Sequence, residues 1–466
     1  MNSSLSPNLI DSFLERTAEA LPDSASPCAP DCESIGQNWR RLGLRPGDLV
    51  LLCLPSGKEL LKQFFGVLQA QGVPALVPPN MPGARLREIW QALGARAIGA
   101  YRLPPAEFGG QRHQSIGQMQ VAIFPPGSEP AAAPGEVVLL TSGTSGTASG
   151  CVFDFEALLL NARRHADAIG QRKEDTVLVS LPLYFSFALV AQALASLARG
   201  NRLVISGPPF NAALYRKTLR DFGVTVSSLT PVLVRSMLHS DASYLSELRV
   251  LSVGGDALEP EMVARLVKLR QGGELYLTYG LTQAGPRVST LAAHAEPTHR
   301  YSSVGRPMEG TNVCLRPTGD ATGQKQLYVT SDTVMKRYIG RVEGRPFHDL
   351  SGEQTIATGD AFDRDEEGYL YFKGRLCDYI SRKGEKISLA AVRRLASQLP
   401  HVVSAKTSIV GPEDGGEDFD LELCLSTSPD EQMDPREMLR GVLRRTEMPR
   451  SIRTEHVNET TSQVYK

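Results

Sequence analysis

Short uninterrupted apolar runs alternate along this chain with stretches in which apolar residues recur at three- and four-residue spacing. Asp48-Leu49-Val50-Leu51-Leu52-Cys53-Leu54 is apolar on both faces and predicts a buried strand, with a helix over about 58–71 and a second short strand over 74–78. The pair returns as a strand over 176–182 with a helix over 187–197, and again as a strand over 249–253 with a helix over 260–271. Strands of this kind belong in largely parallel sheets covered by helices, so the expected fold class is α/β. At the N-terminus Leu9, Ile10, Phe13, Leu14, Ala18 and Leu21 fall on one face of an amphipathic helix.

After about residue 300 the pattern changes. Segments 311–316, 326–331 and 367–373 are short and turn-bounded, which predicts a small β-rich subdomain. Beyond Gly374 two helix candidates flank an acidic, glycine-rich hairpin, Glu413-Asp414-Gly415-Gly416-Glu417-Asp418. The second has Asp434 to cap it, Pro435 at its first position, and Met438, Leu439, Val442 and Leu443 on one face. The expected division is a large N-terminal domain of stacked mixed and parallel sheets, 1–373, and a small α+β C-terminal domain, 374–466.

Composition narrows the function classes. With 466 residues, the chain is too long for one ordinary core. A formal net charge of −1 removes bulk electrostatics as a reason to expect nucleic acid or an anionic membrane as partner. The seven cysteines form no disulfide framework, and no second pair or histidine set completes a metal site beside Cys28 and Cys32. The first residues lack a basic start, and no run nears the about eighteen apolar residues of a membrane span. The expectation is a cytoplasmic enzyme without membrane insertion.

The sharpest local feature is Val137-Val138-Leu139-Leu140 running into Thr141-Ser142-Gly143-Thr144-Ser145-Gly146-Thr147-Ala148-Ser149-Gly150. Glycines permit close backbone approach, and free N–H groups with small hydroxyls make a nest for phosphate oxygens. The lysine of a Walker-type loop is absent, and composition alone also fits a flexible linker. Downstream lie Thr278-Tyr279-Gly280-Leu281-Thr282-Gln283-Ala284-Gly285, then Thr358-Gly359-Asp360, then Gly374-Arg375-Leu376-Cys377-Asp378.

In the order and spacing of these motifs the chain resembles the adenylate-forming superfamily of acyl-CoA synthetases, aryl-acid ligases, peptide-synthetase adenylation domains and luciferase. Met81-Pro82-Gly83-Ala84-Arg85-Leu86 and Ser303-Val304-Gly305-Arg306-Pro307-Met308 resemble further landmarks, so the likeness covers nearly the whole chain. The resemblance implies that a carboxylic acid attacks the α-phosphorus of ATP with Mg2+ present, and that the thiol of CoA or of a phosphopantetheine arm then displaces AMP. It implies that Thr141, Ser142, Gly143, Thr144, Ser145 and Gly146 hold the β- and γ-phosphates. Tyr279 and Gly280 would lie at the adenine, Thr282 at the α-phosphate, Asp360 at the ribose, and Arg375 near ribose and phosphates. Cys377 would sit at a hinge about which a mobile C-terminal domain rotates. For Arg375 a plain salt bridge across the domain joint is the alternative.

The resemblance breaks where charge is needed. Its phosphate loop ends in Pro-Lys-Gly, whereas this one ends in Ala148-Ser149-Gly150. Its magnesium-holding glutamate is Gln283 here, a poorer ligand for so hard a cation. Its catalytic C-terminal lysine falls on Val464 when Thr460 anchors the match and on Lys466 when Ser462 does. Three readings follow: slow adenylation with Lys466 or another cation substituting, acyl transfer from a preformed adenylate or thioester, and nucleotide binding without adenylation.

The matching segments place the acyl pocket among 183–187, 228–234 and 254–257, with Tyr184, Phe185, Phe187, Gly254 and Gly255 as candidate substrate contacts. Leu183-Tyr184-Phe185-Ser186-Phe187 carries no aspartate to pair a substrate ammonium, which favours an aryl or aliphatic acid over an α-amino acid. The aromatics also fit a helix start, and Asp256 fits a turn as well as a polar contact. Lys383 and Lys386 match the thiol channel, where they would meet CoA phosphates or an acidic acyl carrier protein, or would be solvated surface charges.

Overall fold

The computed structural model describes the chain apart from residues 1–6, 21–30, 104–107, 109–111, 126–131, 142–148, 208, 319–322, 341–346, 350–353, 377–378, 383–384, 411–417, 427–433 and 458–466. Two eight-stranded sheets dominate. In one, Leu49–Cys53 pairs in parallel with both Val73–Leu76 and Ala97–Ala100, and all five of its residues are buried. In the other, Thr176–Val179, Arg202–Ile205, Val226–Leu229, Val250–Gly254 and Glu274–Gly280 run parallel, and Arg287–Ala292 turns back antiparallel. The strands expected from apolar runs are therefore interior to their sheets and buried along their length.

The β-rich segments after residue 300 form a five-stranded sheet that includes Thr311–Pro317, Lys325–Ser331, Gln354–Arg364 and Leu370–Arg375. Its core meets the larger sheet through Tyr279, Val288, Leu327, Ile356 and Phe362. A separate apolar cluster gathers Ile380, Ile387, Val392, Phe419, Leu421, Leu423 and Leu439 around a three-stranded sheet. Among the described residues no helix is long and apolar enough to cross a membrane.

Three elements differ from their sequence pattern. The first helix ends at Arg16, and Ala18 instead pairs with Val204 as an added edge strand. There the sheet offers ladder bonds that another helical turn would forfeit. Residues 186–199 are helical, but Leu189–Leu194 is wound as a π-helix. Asp434 does cap its helix, accepting from the Arg436 N–H, yet the helix stops at Arg440 and Val442 is exposed beyond it. Leu21, Cys28 and the hairpin residues 413–417 lie outside the described residues.

Candidate active site

Tyr279 is the last residue but one of the strand Glu274–Gly280, where the ladder shifts register between Tyr279 and Gly280. Glycine is required at 280, because a Cβ there would stand 1.8 Å from the Pro286 carbonyl oxygen. Across the junction, Asp360 and Arg375 are direct partners in the antiparallel ladder between Gln354–Arg364 and Leu370–Arg375. Thr358 and Gly359 shape the approach: the Asp360 N–H donates to Thr358 Oγ1 at 3.1 Å, and Gly359 adopts a positive φ of 75°.

These elements bring three of the expected nucleotide residues together. The Tyr279 hydroxyl donates to Asp360 Oδ2 at 2.7 Å, and Arg375 Nε lies 3.5 Å from Asp360 Oδ1. Asp360 is buried, while Arg375 is half-exposed. The Tyr279 ring packs edge-on against Phe362 with centroids 4.8 Å apart, and lies 6.4 Å from Phe372. Burial, with the Asp360 charge beside it, pushes the Tyr279 hydroxyl well above the usual phenol range. It therefore stays a donor and fixes the carboxylate.

The next turn carries Thr282 and Gln283. Thr282 Oγ1 lies 3.1 Å from Ser186 Oγ, which ties the motif to the segment expected to line the acyl pocket. Gln283 Nε2 donates to the Tyr338 hydroxyl at 3.0 Å. Tyr338 stands opposite Cys151 in the ladder beside the strands Glu136–Leu140 and Ser149–Asp154, so this one bond links Gln283 to the sheet that carries the glycine-rich loop. With Nε2 spent on Tyr338, the amide Oε1 is the atom left to meet a cation. A magnesium ion held mostly by substrate phosphates needs only one or two protein oxygens, so a neutral amide fits as an auxiliary ligand.

At the glycine- and hydroxyl-rich loop expected to hold phosphate, Thr141 Oγ1 is 3.3 Å from Ser149 Oγ across its base. Gly150 must lack a side chain, since a Cβ would meet Val138 Cγ1 at 2.4 Å. Ser142, Gly143, Thr144, Ser145 and Gly146 lie outside the described residues, as do Cys377, Lys383, Val464 and Lys466.

On the acyl side, the Tyr184 and Phe185 rings pack edge-on at 4.7 Å, and Phe187 is buried. Gly254 ends its strand against Thr278, where a Cβ would lie 2.3 Å from Thr278 Oγ1. Gly255 holds a φ of 99°, which disfavours any side chain. Asp256 is exposed and accepts from the Ala257 N–H, the arrangement of a turn residue.

Sequence reasoning missed Arg287. Its guanidinium carbon lies 4.0 Å from the Phe187 ring centroid, and Nη1 donates to Thr278 Oγ1 at 2.8 Å. Its Nε is buried without a partner, and it forms no ion pair among the described residues. Burial lowers its pKa to about 9, so it is charged at neutral pH. His165, fully buried on the helix Phe155–Ala168, has neither ring nitrogen bonded, and burial with the nearby Arg287 charge lowers its pKa to about 3. The only signal in sequence was one arginine in the otherwise uncharged strand Arg287–Ala292.

With the geometry in place, comparison with known proteins defines the class. The family model described as AMP-binding enzyme matches residues 30–339, about two thirds of the chain. The chain belongs to that family. It is 25% identical over 427 residues to 4-coumarate–CoA ligase-like 6 from Oryza sativa subsp. japonica, covering 82% of this chain and 70% of that protein. The fold is shared with o-succinylbenzoate CoA synthetase of Bacillus subtilis, solved with the acyl-adenylate OSB-AMP (TM-score 0.71, 18% identity, 91% of this chain and 88% of that one). The same synthetase solved with ATP and a magnesium ion gives a TM-score of 0.72 at 19% identity, over 91% and 89% of the two chains.

Proposed function

We propose that this chain is an AMP-forming acid–thiol ligase. It activates an aryl or aliphatic carboxylic acid as an acyl-adenylate and passes the acyl group to the thiol of CoA. In the first step a carboxylate oxygen attacks the α-phosphorus, the bond to the β-phosphate bridge breaks, and pyrophosphate leaves. In the second, a thiolate attacks the acyl carbon and AMP leaves.

One observation carries the reading: Tyr279 of one sheet meets Asp360 and its ladder partner Arg375 of another, where the two sheets join in a chain of the AMP-binding family. A buried carboxylate held by a tyrosine is a ready acceptor for two ribose hydroxyls. Tyr279 and Gly280 then lie beside the adenine, and Arg375 beside the ribose and α-phosphate. Thr282 faces the α-phosphate while its link to Ser186 sets the distance to the acid. Gln283 would hold magnesium through its neutral amide oxygen, beside the substrate phosphates. The loop from Thr141 through Ser142, Gly143, Thr144 and Ser145 to Gly146 takes the outer phosphates, and Lys466 supplies the adenylating cation. The C-terminal unit, 374–466, turns about Cys377 between the two steps. An acyl carrier protein is the alternative acceptor. Incubation with ATP, magnesium, CoA and a pooled set of acids tests this reading by mass spectrometry. Acyl-CoA with equimolar AMP is expected, and release of ADP or no nucleotide turnover would refute it.

A further inference from the structure

Arg287 is a buried cation held in place by its surroundings. Its backbone is clamped, with its N–H donating to Asn161 Oδ1 at 3.0 Å and its carbonyl accepting from Asn161 Nδ2 at 3.0 Å. The same Nδ2 reaches Thr333 Oγ1 at 3.1 Å, so the strand has little freedom to move. The guanidinium plane is pinned by the Phe187 ring on one side and Thr278 Oγ1 at its tip. Thr278 is a complete partner, since its hydroxyl donates onward to the Val253 carbonyl at 3.3 Å. A Cβ at Gly254 would stand 3.0 Å from Arg287 Nη1, so it is the bare glycine that lets the guanidinium pack this close to the end of its strand.

What is missing is an anion. A guanidinium at 3% exposure whose Nε is buried without a partner, and which has one hydrogen bond from Nη1 and no ion pair among the described residues, is costly, and such groups are normally paired. Its titratable neighbour His165 brings no negative charge and is itself held neutral. The other side of the balance must then come from the substrate.

We propose that Arg287 selects a dicarboxylic acid, binding through its planar fork the carboxylate that does not react. This rests on the reading that residues 183–187 and 254–257 line the acyl pocket. The reacting carboxylate belongs elsewhere. It must meet the α-phosphate beside Thr282, which is tied to Ser186. Arg287 instead lies on Phe187, whose side chain leaves the helix about 100° around from that of Ser186. A carboxylate matches the fork of a guanidinium bidentately, which a hydroxyl or carbonyl does not.

The test uses the full-length enzyme, with diacids of graded length and their monomethyl esters as matched probes. Calorimetry in the presence of AMP reads binding, and ATP–pyrophosphate exchange reads kcat/KM. Wild type should prefer diacid over ester, and Arg287→Leu should lower that preference by about 30-fold or more. Arg287→Lys should restore part of it, and AMP should still bind both variants as a check of folding. Equal losses for diacid and ester in Arg287→Leu would overturn the proposal by placing Arg287 on the reacting carboxylate. Diacids that do not bind wild type, while esters bind or exchange, would overturn it as well. Diacid binding lost in Arg287→Leu but without exchange in wild type would uphold this proposal and count against the ligase reading alone.

Discussion

Replacing Asp360 with alanine removes the one buried carboxylate that the nucleotide reading depends on. The side chain accepts from Tyr279 at 2.7 Å and faces Arg375 at 3.5 Å. If it also accepts from two ribose hydroxyls, each charge-assisted bond is worth about 1.5–3 kcal/mol, so AMP affinity should fall by about 10²–10⁴-fold. The fold itself should lose about 1–3 kcal/mol, because the buried Tyr279 hydroxyl is left without an acceptor. Little further loss comes from Arg375, which is half-exposed and screened by water. Asp360→Asn is the control. It keeps an oxygen for Tyr279 and loses only the charge, so about a tenfold weakening is expected at nearly native stability. Calorimetric titration of AMP, with thermal melts of each variant, reads both quantities. Alanine at 360 binding AMP within threefold of wild type would refute the ribose assignment.

Three other outcomes follow from single sites. His165 titrates near 6.5 when unfolded and near 3 when folded, so the unfolded chain takes up its proton first and stability falls on acidification below about pH 6.5. This site alone should cost about 1.4 kcal/mol between about pH 7.5 and 5.5, and His165→Phe should remove that share of the slope in denaturant titrations. Gly280→Ala must displace backbone, given the 1.8 Å approach to Pro286, and should cost about 3 kcal/mol or more or leave the chain insoluble on expression. Ser149→Lys returns a cation to the phosphate loop and should raise pyrophosphate exchange several-fold if outer-phosphate charge is under-compensated, whereas a sharp loss would mean the loop serves another ligand.

Strands with strong apolar runs were legible from the sequence because both faces are buried, and no competing period exists in Leu49–Cys53. Asp360 and Arg375 were legible as separate motifs, and the ladder sets the two opposite each other. The π-helical winding of Leu189–Leu194 was hidden, since every residue there is buried and no polar face marks the turn length. Ala18 was misread because its strand is only two residues long and gains its bonds from a partner far along the chain. Arg287 was overlooked for a related reason: one charge in a strand looks like an outward position, and only the folded chain puts Phe187 beneath it.

The central claim is that this chain activates a carboxylic acid with ATP. ATP–pyrophosphate exchange with purified full-length protein and magnesium, run against pooled monocarboxylic and dicarboxylic acids, tests it most directly. Acid-dependent exchange is expected, strongest in the dicarboxylic pool and reduced by Lys466→Ala. Tight AMP binding with no exchange from any pool would contradict it.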